Sequence, residues 1–186
     1  MRHLIRPKLQ ARAALALVAS LAIAGCFDGL PGEGQSVPLA ANKAAASPIP
    51  FESLAQGAPE GVFPKAPAVF LATGAAAATP FLEYLSESDR LAVQRVEFSS
   101  RAVVAVFSGA VGSSGHAVRV EQLTRDGSSL RIAAQIITPA PTGYALTVFT
   151  SPYHVLTVPR AALGEPLPTS WILTDTAHQK TTGGRF

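Results

Sequence analysis

The chain has 186 residues, with 15 Lys and Arg against 12 Asp and Glu, for a formal charge of +3. Four of the positive charges, Arg2, Arg6, Lys8 and Arg12, crowd the first twelve residues, so everything beyond residue 25 carries a net charge of −1. A body that close to neutral lacks the basic patch that phosphate backbones require, which excludes nucleic acid as a partner.

Those four cations are followed by an apolar run over residues 13–24 and then Gly25-Cys26. The order of basic segment, apolar segment and small residue is that of an export signal. The run is too short for a permanent span, which takes roughly 20 apolar residues. Ile23-Ala24-Gly25-Cys26 resembles a bacterial lipobox, in which the cysteine is acylated and becomes the new N-terminus. Residues 1–25 are therefore expected to be a lipoprotein signal peptide and Cys26 the lipid attachment, with palmitate among its acyl chains. Cys26 is the only cysteine in the chain, so no disulfide can form within it. The bilayer is then one partner and the cell envelope the location. Phe27 rather than Asp follows the cysteine, which favours the periplasmic face of the outer membrane in a Gram-negative source.

Residues 26–58 are rich in Gly, Pro, Ala and Ser and read as a flexible tether. From residue 59 to 178 short apolar runs alternate with turn signals, the pattern of a mainly β domain with a minor α component, either an antiparallel sandwich or a small barrel. Residues 67–72 give a first strand. Thr79 and Pro80 suit the N-cap and first position of one short helix over 79–85. Residues 101–107 form a continuous β-branched run suited to a strand buried on both faces. Residues 112–115 read as a turn, and 116–123 as a half-buried strand with Val118, Val120 and Gln122 on one side. Asp126-Gly127 is a hairpin turn leading into a strand over 129–137. Residues 138–143 read as a loop, 144–150 and 152–158 as further strands, and 171–173 as the strand that closes the sheet. The tail over 179–186 looks disordered.

The segments Val96-Glu97-Phe98, Val103-Val104-Ala105-Val106-Phe107-Ser108-Gly109, Gly112-Ser113-Ser114-Gly115-His116, Asp126-Gly127, Pro139 and Ser151-Pro152-Tyr153-His154-Val155-Leu156-Thr157-Val158-Pro159 carry a resemblance over about residues 96–160. They resemble the C-terminal domain of the protease complex subunit PrcB family, whose members are typically small bacterial lipoproteins or secreted proteins. The resemblance implies a β-rich domain that associates with an envelope protein, a protease complex being the implied partner. A structural envelope lipoprotein without regulatory activity is the alternative.

For chemistry, Ser114, His116, His154 and Asp126 supply the residue types of a hydrolase, but no Gly-x-Ser-x-Gly elbow frames them. His116 and His154 lack the spacing of a metal pair. The expectation is a non-enzymatic binding domain with no catalytic residue, metal, cofactor or small-molecule substrate. Exposed loops on a rigid β scaffold are where binding usually resides. Gly112, Ser113, Ser114, Gly115 and His116 are therefore the expected contact loop, with Tyr153 and His154 in support.

Overall fold

A computed structural model describes residues 46–140 and 145–186. The expected signal peptide over 1–25, Cys26, most of the expected tether and Tyr144 lie outside the described residues. In chain order the elements are β1 (Glu52–Gly57), β2 (Ala68–Ala72), α1 (Ala75–Leu82), α2 (Glu87–Gln94), β3 (Arg101–Phe107), β4 (Ala117–Asp126), β5 (Ser129–Ile137), β6 (Tyr153–Pro159), β7 (Ser170–Asp175) and β8 (Lys180–Arg185). A 3-10 turn, Arg160–Leu163, follows β6.

The strands form two four-stranded sheets, in the orders β1-β6-β3-β2 and β4-β5-β7-β8. This is the sandwich of the two architectures the sequence allowed. The pairs are antiparallel except β5–β7, which run parallel, with Ser129 opposite Ser170 and Ala134 opposite Asp175. Parallel neighbours need a long crossover. Here the chain leaves β5, adds β6 to the other sheet and returns as β7, so 171–173 lies inside the second sheet rather than closing it.

The first sheet is the middle of three layers. One face carries Ala102, Val104, Val106, Leu156 and Val158 against Leu123, Leu130, Ile132 and Leu173 of the second sheet. Its other face carries Val103, Ala105, Phe107, Tyr153 and Val155 against Phe81, Leu85 and Val93 of the helical layer. Being covered on both sides explains why β3 and β6, the inner strands, are buried at nearly every position and mostly apolar, whereas β4 and β5 alternate.

Four expectations need correction. There are two α-helices, not one. The first begins at Ala75, because Ala75 to Ala78 are the strongest helix formers available and Gly74 is the extended N-cap; Pro80 falls inside the helix, which ends two residues later. The second helix is capped by the Ser86 side chain, which accepts from the Asp89 N–H, with Glu87 and Asp89 in its first turn. Residues 52–57, assigned to the tether, are β1, ordered by pairing with β6 and not by an apolar pattern of their own. Residues 145–149 are irregular, and only Thr150 pairs, in a single bridge to Val111.

The fourth correction concerns the tail over 179–186, which is not disordered: β8 pairs with the whole of β7. Its glycines allow this. A Cβ on Gly184 would stand 2.8 Å from the Trp171 ring, and one on Gly183 would stand 2.9 Å from the Trp171 carbonyl. Two smaller shifts complete the comparison. A bulge between Val120 and Gln122 turns Leu123 into the core and Gln122 out to solvent. The β4–β5 turn is Gly127-Ser128, since Asp126 pairs with Ser129; Gly127 has φ +59.

Candidate functional site

The loop joining β3 to β4 and the segment leading into β6 lie side by side at one end of the sandwich. Val111 and Thr150 exchange backbone bonds of 2.8 and 3.1 Å. Ser114 donates its N–H to the Leu146 carbonyl at 2.9 Å, and its hydroxyl accepts the Leu146 N–H at 2.9 Å. Gly115 makes the turn back with φ +84, where a Cβ would press within 3.2 Å of Pro139. Ser113 Oγ lies 3.1 Å from His116 Nε2. Gly112, Ser113, Ser114, Gly115 and His116 are thus brought together as one braced loop, with Gly112 and Gly115 exposed.

Bracing the loop leaves Leu146 and Phe149 outside, 75% and 69% exposed. Large apolar side chains so placed beside a fixed loop are a surface on which another protein gains contact area. Sequence reasoning missed both, having assigned them to a strand; Leu146 and Phe149 in a stretch with few polar residues were the available signal. In the same loop and segment, the hydroxyls of Thr150 and Ser151 and the Nδ1 of His116 are buried without a hydrogen-bond partner among the described residues.

Tyr153 and His154, expected to support the loop, do not join it. Both are core residues, at 1% and 3% exposure, and as neighbours on one strand they point to opposite faces. Tyr153 faces the helical layer. Its hydroxyl donates to Asp89 Oδ2 at 2.5 Å and accepts the Ser86 N–H at 3.2 Å, and its ring packs 5.7 Å from that of Phe107. Burial, followed by the bond to Asp89, raises the phenol's pKa.

His154 faces the second sheet. Its Nδ1 accepts the Val120 N–H at 2.9 Å, at the β4 bulge, and its Nε2 lies 2.9 Å from Ser53 Oγ of β1. A backbone amide can only donate, so Nδ1 is unprotonated and Nε2 carries the hydrogen toward Ser53. Burial, then the nearby Arg119 charge, pushes the imidazole down to about 4. His154 is a neutral clip joining three strands of two sheets.

The residues of the hydrolase alternative are scattered. Ser114 is committed to Leu146, Asp126 accepts from Arg131 at 2.8 Å, and the length of β4, roughly 30 Å at about 3.3 Å per residue, separates Asp126 from His116. A pair the sequence reading passed over lies at the β7–β8 turn. Burial would raise the Asp175 carboxyl, but bonds from His178 Nδ1 at 2.6 Å and from the Ile136 and Ala177 N–H groups outweigh it and lower the pKa. That arrangement ties the turn to the end of β5.

The chain matches no curated protein and no solved structure. Residues 102–159 match the family model described as PrcB C-terminal. The matched stretch runs from β3 through β6, taking in the loop 112–116, the β4–β5 hairpin and both inner strands of the middle sheet. Over residues 102–159, therefore, the chain is similar to the C-terminal domain of the PrcB family.

Proposed function

We propose that this protein is a membrane-anchored lipoprotein whose β-rich domain associates with an envelope protein, a protease complex being the partner class the family implies. The observation that carries the binding half of this reading is the pair Leu146 and Phe149, held out to solvent by a loop that four hydrogen bonds fix in place. A preformed surface loses little conformational freedom on docking. Gly112, Ser113, Gly115 and His116 form its rim, and Ser114 holds it together. The anchoring half rests on the sequence over 1–26, with Cys26 as the acylated residue and the bilayer as second partner.

The test is co-purification from envelope extract with the full chain as bait. Phe149→Ser with Leu146→Ser loses a specific protease-containing complex that the wild type captures, while the thermal unfolding of the bait is unchanged. A complex retained by the double variant overturns the site. Separately, Cys26→Ser abolishes incorporation of labelled palmitate and releases the chain from membranes; an unlipidated wild type found free of membranes overturns the anchor.

A further inference from the structure

The sandwich has four edge strands, β1, β2, β4 and β8; β2 is the shortest and has helix α1 packed against it, and the other three are not equally protected. On β4 the Leu123 carbonyl accepts the Ile49 N–H and the Val120 N–H goes to His154. β1 is broken by a register shift between Ser53 and Ala55. β8 has neither device: six residues pair with β7 without interruption. The direction of its backbone groups follows from the alternation along β7. Ser170 and Thr176 donate their N–H groups to Ser128 and Ala134 on the β5 side, so Trp171, Leu173 and Asp175 turn toward β8. Their partners Gly184, Thr182 and Lys180 turn back toward β7. Thr181, Gly183 and Arg185 consequently aim N–H and C=O away from the sheet, and among the described residues no backbone hydrogen bond reaches them.

A cavity of about 160 Å³ opens beside this edge, between the two sheets. It is lined by Pro67, Ile136, Leu173 and Thr182, with Asp175 and Lys180 supplying its charged groups. Lys180 and Thr182 are alternate residues of β8, so the cavity lies on the inner face of the sheet that the next strand would continue. An unpaired edge next to an apolar pocket is the combination by which strand addition obtains affinity from main-chain bonds and selectivity from alternate side chains.

We propose that β8 is a strand-addition edge that takes an extended segment of a partner protein, of alternating apolar and polar sequence, with one apolar side chain in the Leu173–Thr182 cavity. The backbone chemistry selects an extended chain, and the mostly apolar lining selects the inward side chain. The site is separate from the loop at Gly112 to His116 and does not depend on what that loop binds.

The test is hydrogen–deuterium exchange of the full chain with and without the synthetic peptide Lys-Thr-Val-Thr-Val-Thr-Val-Thr-Lys. Peptide slows the amides of Thr181, Gly183 and Arg185 by at least about tenfold, while those of Lys180, Thr182 and Gly184, already paired, change little. Thr181→Pro deletes one outward N–H without touching the β7 ladder and weakens peptide binding by about fivefold or more. Thr182→Phe fills the cavity and removes the preference for the valine peptide over its all-threonine counterpart, a readout that survives if Thr181→Pro does not fold. Unchanged exchange at the three outward amides overturns the proposal. So does their protection in the peptide-free chain together with sedimentation as a dimer, since a second copy would then occupy the edge.

Discussion

At the scale of single residues, the most consequential side chain is His154. In the folded protein its imidazole stays neutral down to about 4, whereas an unfolded histidine takes up its proton near 6.5. Above 6.5 both states are neutral and the clip between Val120 and Ser53 contributes fully. As pH falls from 6.5 toward 4 the unfolded chain binds a proton that the native state refuses, so stability drops by up to about 3 kcal/mol from this group. Asp175 acts in a lower window: its depressed carboxyl stabilises above the unfolded value and is lost only as pH falls through the folded one. Urea unfolding of the wild type at pH 7 and pH 4.5 is expected to show the loss, and His154→Leu to flatten it. An equal slope in the variant would reassign the effect. Tyr153→Phe tests the opposite face of the same strand. It leaves the Ser86 N–H without its acceptor and Asp89 without its donor, and is expected to cost about 1–3 kcal/mol in the same assay, with helix α2 exchanging faster than the sheets.

At the scale of elements, the β8 ribbon depends on what its glycines leave out. Gly184→Val places a Cβ and two methyls where the Trp171 ring already lies, and is expected to destabilise by about 1–3 kcal/mol and to shift the emission of Trp171, the only tryptophan. A conserved emission with unchanged stability would mean the ring has room to move. This contact also marks where sequence patterning stops. Strands β3, β5 and β6 were legible because their own residues carry the signal, a β-branched run or a strict alternation. The hairpin was legible in Gly127 and its neighbours. By contrast, Glu52-Ser53-Leu54-Ala55-Gln56-Gly57 and Lys180-Thr181-Thr182-Gly183-Gly184-Arg185 have little pattern, and are strands because β6 and β7 offer them a ladder. The bulge after Val120 was invisible for a related reason: it is fixed by an acceptor 34 positions away, on His154. Of the candidate site, the glycine loop was legible through its turn residues, and its exposed pair was not, because Leu146 and Phe149 read as strand residues unless the pairing of Ser114 with Leu146 is known.

At the scale of the whole molecule, the two cores share one sheet. Val155 packs toward the helices and Leu156, the next residue, toward the second sheet, so β6 cannot loosen on one side without exposing the other. The same holds for β3, where Val103 and Val104 divide in the same way. Such sharing makes the helical layer and the second sheet parts of one cooperative unit even though neither α1 nor α2 packs in the inter-sheet core. The consequence can be measured with two probes on opposite sides of the middle sheet: Trp171 fluorescence, which reports the inter-sheet core, and tyrosine absorbance, to which buried Tyr153 contributes on the helical side. Their unfolding curves are expected to coincide. Phe81→Ala removes a fully buried ring from the helical core alone, at a cost of about 3–5 kcal/mol. If the layers unfold together, the variant shifts the Trp171 transition by as much as the tyrosine one, although Phe81 belongs to the other core. A Trp171 midpoint left in place while the tyrosine transition moves would show that the helices melt by themselves, and the shared strands would then couple the two cores in geometry but not in energy.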